Sequence, residues 1–112
     1  MYKVSDFHMA ELVNVMLVQT QGSCKETKAG VQLHCWQETA ALCLTYAAHN
    51  TNSYPVYAVL DCSNSTGVVF SSRTSSVEAL VPAKSWKSLL HAQLAPGASR
   101  CTLIPQFNVR LN

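Results

Sequence analysis

The chain is 112 residues long, 48% of them apolar and only 12% charged, with a formal net charge of +2. That balance excludes a disordered chain, which is poor in apolar residues, and offers nucleic acid no strongly basic surface. No apolar run approaches the roughly 18 residues a membrane-spanning helix needs. Met1 to Asp6 has no apolar h-region, so no cleavable signal peptide is expected. A single domain over 1–112 with its own packed core is the expectation.

The first apolar segment is Met9 to Val18. Met9, Leu12, Val13, Met16 and Leu17 suit one face of a helix capped by Asp6. The β-branched content of Leu12 to Val18 favours a strand over 11–19 instead, because nothing else in the chain has a helical period. Gln21-Gly22-Ser23 then punctuates a turn. Val31, Leu33 and Cys35 alternate with Gln32, His34 and Trp36, the period-two signature of a strand with one face on a core.

Ala40 to Ala48 is more continuously apolar, with Leu42, Leu44 and Tyr46 on one side and Cys43 and Thr45 on the other. Such a run suits a central strand covered on both sides. Val56, Ala58 and Leu60 again alternate with Tyr57, Val59 and Asp61. Shorter strands are expected at Val68–Phe70, Val77–Val81, Trp86–His91, Cys101–Ile104 and Asn108–Leu111. Turns rich in Asn, Ser and Gly separate them. Some eight strands at about ten-residue spacing predict an all-β, antiparallel sandwich or barrel.

Charge is unevenly placed. Glu78 is the last acid, whereas Lys84, Lys87, Arg100 and Arg110 follow it. A moderately basic face could meet an acidic protein partner or an anionic membrane surface; nucleic acid is not an expected partner. Trp86 between Lys84 and Lys87 is an aromatic anchor flanked by cations, the kind of group that dominates interfaces. With Arg100, these three form the candidate binding set: Lys84, Trp86, Lys87 and Arg100.

Five cysteines, Cys24, Cys35, Cys43, Cys62 and Cys101, read most simply as reduced core thiols of a cytoplasmic protein. The alternative is a secreted binding or adhesion domain stapled by two disulfides, with Asn64 glycosylated in Asn64-Ser65-Thr66. A hydrolase would need Cys62 or Cys101 beside His8, His34, His49 or His91, and no nucleophile signature surrounds any of them. Close-spaced cysteine pairs for zinc and clustered carboxylates for calcium are both missing, so no cofactor is expected. Asp61, next to Cys62, reads as a strand-end carboxylate bonded to turn amides.

Val56 to Ser65, then Gly67 to Arg73, Val77-Glu78, Val81-Pro82 and Lys87 to Leu90 together resemble the carboxy-terminal domain of calpain-like cysteine proteases of the small-optic-lobes class. Upstream, Ala10 to Gln19, Gly22 to Lys28 and Val31 to Trp36 look like its preceding strand, basic turn and strand. Pro82-Ala83 stands where that family usually has Pro-Pro, Leu60 where a second cysteine tends to occur, and Thr74 where a glycine is usual. The resemblance implies a C2-like β-sandwich, a non-catalytic regulatory module of a larger protease. It would dock without calcium on a protein partner, a sister protease domain or a membrane. No segment matches the papain-like core that performs calpain proteolysis, so no catalytic residue is implied.

Overall fold

The structure is a computed structural model and describes residues 18–19, 21–38 and 43–112. Eight strands are formed among the described residues: β1 (Ser23–Lys28), β2 (Val31–Glu38), β3 (Cys43–Asn50), β4 (Val56–Asp61), β5 (Val68–Phe70), β6 (Ser76–Val81), β7 (Trp86–Leu94) and β8 (Gln106–Leu111). They make two antiparallel sheets, sheet A in the order β1-β2-β3-β7-β5 and sheet B in the order β6-β4-β8. This is the all-β antiparallel sandwich that the strand spacing predicts.

Alternation decides which residues form the core. In β2, Val31, Leu33 and Cys35 are buried; in β4, Val56, Ala58 and Leu60 are buried. Facing one another across the layers, and joined by Tyr46, Ala48, Leu90, Val81 and Phe107, they form one cluster. β7 contributes two consecutive residues, Leu89 and Leu90, because a bulge shifts its register against β3 between Tyr46 and Ala47.

Three expectations need correction. The segment Gly22 to Lys28, read as a turn, is largely the edge strand β1. Its side chains are nearly all exposed, so no alternation marks it. Cys101–Ile104 is not a strand; only an isolated bridge joins Thr102 to Thr66. Here Ile104 N donates to Ser65 Oγ rather than to a ladder, and Pro105, which has no N–H, follows.

The strand over 11–19 falls mostly outside the described residues, as do His8, Leu42 and the capping role given to Asp6. At Val18 and Gln19 the backbone is helical, so a strand does not reach them. Gly22 N donates to the Val18 carbonyl at 3.0 Å, and a Cβ on Gly22 would stand 2.5 Å from that oxygen. Glycine is required by this close approach.

One buried polar side chain ties the sandwich together at one end. Asn50, fully buried, donates through Nδ2 to the carbonyls of Tyr54, Val81 and Pro82 at 2.9, 3.1 and 3.2 Å. Its Oδ1 accepts from Asn52 N at 3.0 Å. The end of β3, the loop into β4 and the exit of β6 are thereby held by one amide.

Candidate functional site

Residues opposite one another in an antiparallel pair put their side chains on the same face. The registers of β2, β3 and β7 therefore write three rows across the outer face of sheet A: Gln32–His49–Trp86, His34–Ala47–Ser88 and Trp36–Thr45–His91. None of these nine residues is an acid, a lysine or an arginine. A solvated sheet face normally carries many charges.

The rows are packed, not merely adjacent. His49 stacks on Trp86 with centroids 4.4 Å apart and planes 6° from parallel, and His34 meets Trp86 at 4.6 Å. Gln32 Oε1 lies 2.9 Å from His34 Nε2 and 3.2 Å from His49 Nδ1. His91 Nδ1 and Thr45 Oγ1 are 2.8 Å apart. Underneath, Thr45 and Ala47 are fully buried although they point away from the main core. β3 is thus covered on both sides, as its sequence suggests, and the second cover is made of histidine and tryptophan rings.

Burial pushes the His34 imidazolium below its ordinary range, with the neighbouring His49 adding to the effect, and burial alone does the same to His91. In both cases the fold prefers the neutral ring. The unfolded chain then binds more protons than the folded one below about pH 6.5. Stability from these two groups is complete above that value and is lost as pH falls through their lowered folded-state pKa values. Unfolding free energy is expected to decline between pH 7 and 5, and the decline is expected to flatten in His34→Gln and His91→Gln. An unchanged pH slope in both variants would show that the rings do not control it.

The four candidate binding residues are not one cluster. Trp86 is the half-buried centre of the ring face, whereas exposed Lys87, opposite the core residue Ala48, leaves the sheet on the other side. Lys84 has a positive φ of 54° and its Nζ donates to Thr51 O at 2.5 Å, at the same end of the sheet. Arg100 lies beyond the far end of β7 and lines a small cavity of about 110 Å³ with Cys43, Gln93 and Cys101. The nine residues of β7 separate that end from Trp86 by roughly 25 Å.

Other cations are also dispersed. Arg110 pairs with Glu78 and covers the Tyr57 ring at 4.6 Å on sheet B. Lys28 pairs with Glu26 at 3.5 Å.

Cys24, Cys35, Cys62 and Cys101 are free thiols; Cys35 and Cys62 are buried, Cys24 and Cys101 exposed. Burial first, and the Asp61 charge second, push the Cys62 thiol up to about 11, the opposite of an activated nucleophile. Cys62 sits in the core, whereas His34, His49 and His91 lie on the far face of sheet A. A larger cleft of about 420 Å³ opens beside Lys25, Cys35, Tyr46, Leu103 and Pro105. Burial holds both the Cys35 thiol and the Tyr46 phenol above their ordinary values, so neither is primed for base or nucleophile chemistry.

Asp61 Oδ1 accepts from Ser63 N at 2.9 Å, and its bonds to Ser63 hold its carboxyl below the usual range. It is the turn-bonded strand-end residue expected. No group of three metal-ligating side chains occurs among the described residues.

The ring face could not be found from spacing alone, since its residues come from three separated segments. The histidines at alternate-parity positions of the strands were the available signal. Comparison with known proteins adds nothing further: no family model, curated protein or solved structure matches this chain.

Proposed function

We propose that this chain is a non-catalytic interaction module that docks a protein partner through the outer face of sheet A, without calcium. The observation that carries the reading is the charge-free layer of Trp86, His49 and His34 on the open face of the sheet. Aromatic rings held rigid by stacking lose little freedom on binding, and such groups dominate the energetics of interfaces. Exposed Lys84, at the Trp86 end of the sheet, suits an acidic rim on the partner. The resemblance to the carboxy-terminal domain of calpain-like proteases supports a sister protease domain or a cytoplasmic regulator as that partner, and the free thiols of Cys24, Cys35, Cys62 and Cys101 suit a reducing compartment. The dispersal of Arg100, Arg110 and Lys28 favours a protein over an anionic membrane, which would be met by gathered cations.

A photo-crosslinking residue at Ser88 tests this in cells. A discrete cross-linked protein is expected, with yield falling about tenfold in Trp86→Ala and in Lys84→Glu. The second variant changes an exposed side chain and leaves the ring layer intact. Equal yield in both variants, or flotation of the purified protein on anionic vesicles with no cross-linked protein, overturns the reading.

A further inference from the structure

An antiparallel sandwich has four outer strands, and each presents unpaired backbone groups unless something covers them. β1 places Lys25, Glu26 and Lys28 among its six residues and is bulged between Cys24 and Glu26. β5 is only three residues long. β8 is capped by side chains. The β4–β6 ladder continues at Cys62 N→Ser75 O, at 2.7 Å, which places Val77, Ala79 and Val81 as the residues bonded to β4. Ala58 and Leu60 of β4 therefore face β6, and Tyr57, Val59 and Asp61 bond to β8.

It follows that Phe107 and Val109 of β8 face outward. One outward group of each is intercepted: Lys28 Nζ donates to Phe107 O at 2.7 Å, and Asn108 Oδ1 accepts from Val109 N at 2.9 Å.

The same alternation turns Ser76, Glu78 and Leu80 of β6 outward. Thr74 Oγ1 donates to Ser76 O at 3.1 Å, but among the described residues nothing is bonded to the outward amides and carbonyls of Glu78 and Leu80. The strand is six residues long, its register with β4 has no bulge, and Leu80 is 42% exposed. Val77 and Ala79, on the core side, are only partly buried. We propose that this edge of β6 is a second docking site, which receives an extended segment of a partner protein as a fourth strand of sheet B.

The side chains define the segment. Facing the core it carries apolar residues that complete the cover over Val77 and Ala79. On the outer face it carries a cation opposite Glu78, whose carboxylate Arg110 holds from the β4 side. A lysine stem also suits exposed Leu80. A second copy of this chain fits poorly: centred on Glu78 it makes three hydrogen-bonded pairs but sets two carboxylates directly opposite one another, and centred on Ala79 it makes only two such pairs. The occupant is therefore a basic, alternating strand from a different protein.

The test uses a synthetic peptide alternating valine with lysine, its ends blocked, added to the full chain while amide hydrogen exchange is followed by NMR. Exchange at Glu78 and Leu80 is expected to slow about tenfold at saturation, with Phe107 and Val109 unaffected. Leu80→Pro, which removes an outward N–H and the exposed leucine side chain but no bond to β4, is expected to abolish the effect, and Glu78→Lys to shift preference to a valine–glutamate peptide. A valine–lysine peptide N-methylated on alternate residues gives the same control without altering the protein. Protection that survives N-methylation, protection at β8 instead, or none at Glu78 and Leu80 overturns the proposal. Because Trp86 lies on the other sheet, Trp86→Ala is expected to leave peptide binding unchanged, so this edge and the ring face stand or fall separately.

Discussion

Replacing Asn50 with leucine is expected to destabilise the fold by about 3–5 kcal/mol, the upper end for a single residue. Leucine fills the same space but donates nothing. The carbonyls of Tyr54, Val81 and Pro82 would lose a shared donor, and Asn52 N its acceptor. Each such group costs about 1–3 kcal/mol when buried unpaired, less where the loop can open to water. Urea unfolding checks this: the midpoint should fall with the slope unchanged. Asn50→Asp extends the argument. A buried carboxylate against three carbonyls prefers to be protonated, so its folded-state pKa lies above the unfolded value of about 3.9. Its penalty is then largest at neutral pH and shrinks as pH falls through that raised value. A stability loss under about 1 kcal/mol for Asn50→Leu would mean that the loops are held by other means.

The strands that fill the core were legible because both of their periods survive in sequence. Val31 to Trp36 and Val56 to Asp61 alternate, and burial follows that alternation residue by residue. β3 was legible as a two-sided strand, since its buried run of Thr45 to Ala48 has no solvated face to leave a polar trace. β1 was hidden for the opposite reason: it touches the core so little that Ser-Cys-Lys-Glu-Thr-Lys reads as a turn. The hairpin that creates it is also disguised. Ala29 and Gly30 both adopt positive φ, 49° and 75°, the pattern of a two-residue primed turn. An alanine in the place usually taken by asparagine, aspartate or glycine conceals it. Asn52 supports that turn by donating to Ala29 O at 2.9 Å.

Function was less legible, because sites depend on strand order. Trp86 was identifiable as an anchor between two lysines, but its ring partners, His34 and His49, reach it only because β3 lies between β2 and β7. Sequence proximity placed Arg100 with Lys84 and Lys87; the length of β7 separates them. The caps that close the edge of β8 were equally invisible, since Lys28 reaches Phe107 across 79 positions. Local pattern carries the core, whereas surfaces are assembled by register between distant segments.

Enlarging Ala47 to leucine is expected to cost about 2–3 kcal/mol, although Ala47 points away from the main core. On an ordinary outer face the change would fall within about 0.5 kcal/mol. Here Ala47 is fully buried, its row is closed by His34 and Ser88, and the rings of His34 and Trp86 meet at 4.6 Å on this face. A larger side chain has to push those rings apart and break the His49 stack. The mechanism makes a second demand. Truncating Trp86 to alanine removes the lid, so Ala47→Leu should be less costly in that background, with a coupling of about 1 kcal/mol in the double-mutant cycle. Chemical unfolding of the wild type, both single variants and the double variant measures it. Additive effects would mean that the rings do not close over Ala47. A negligible cost for Ala47→Leu alone would mean that this face is an open sheet surface, and the packed aromatic layer on which docking through sheet A depends would not exist in solution.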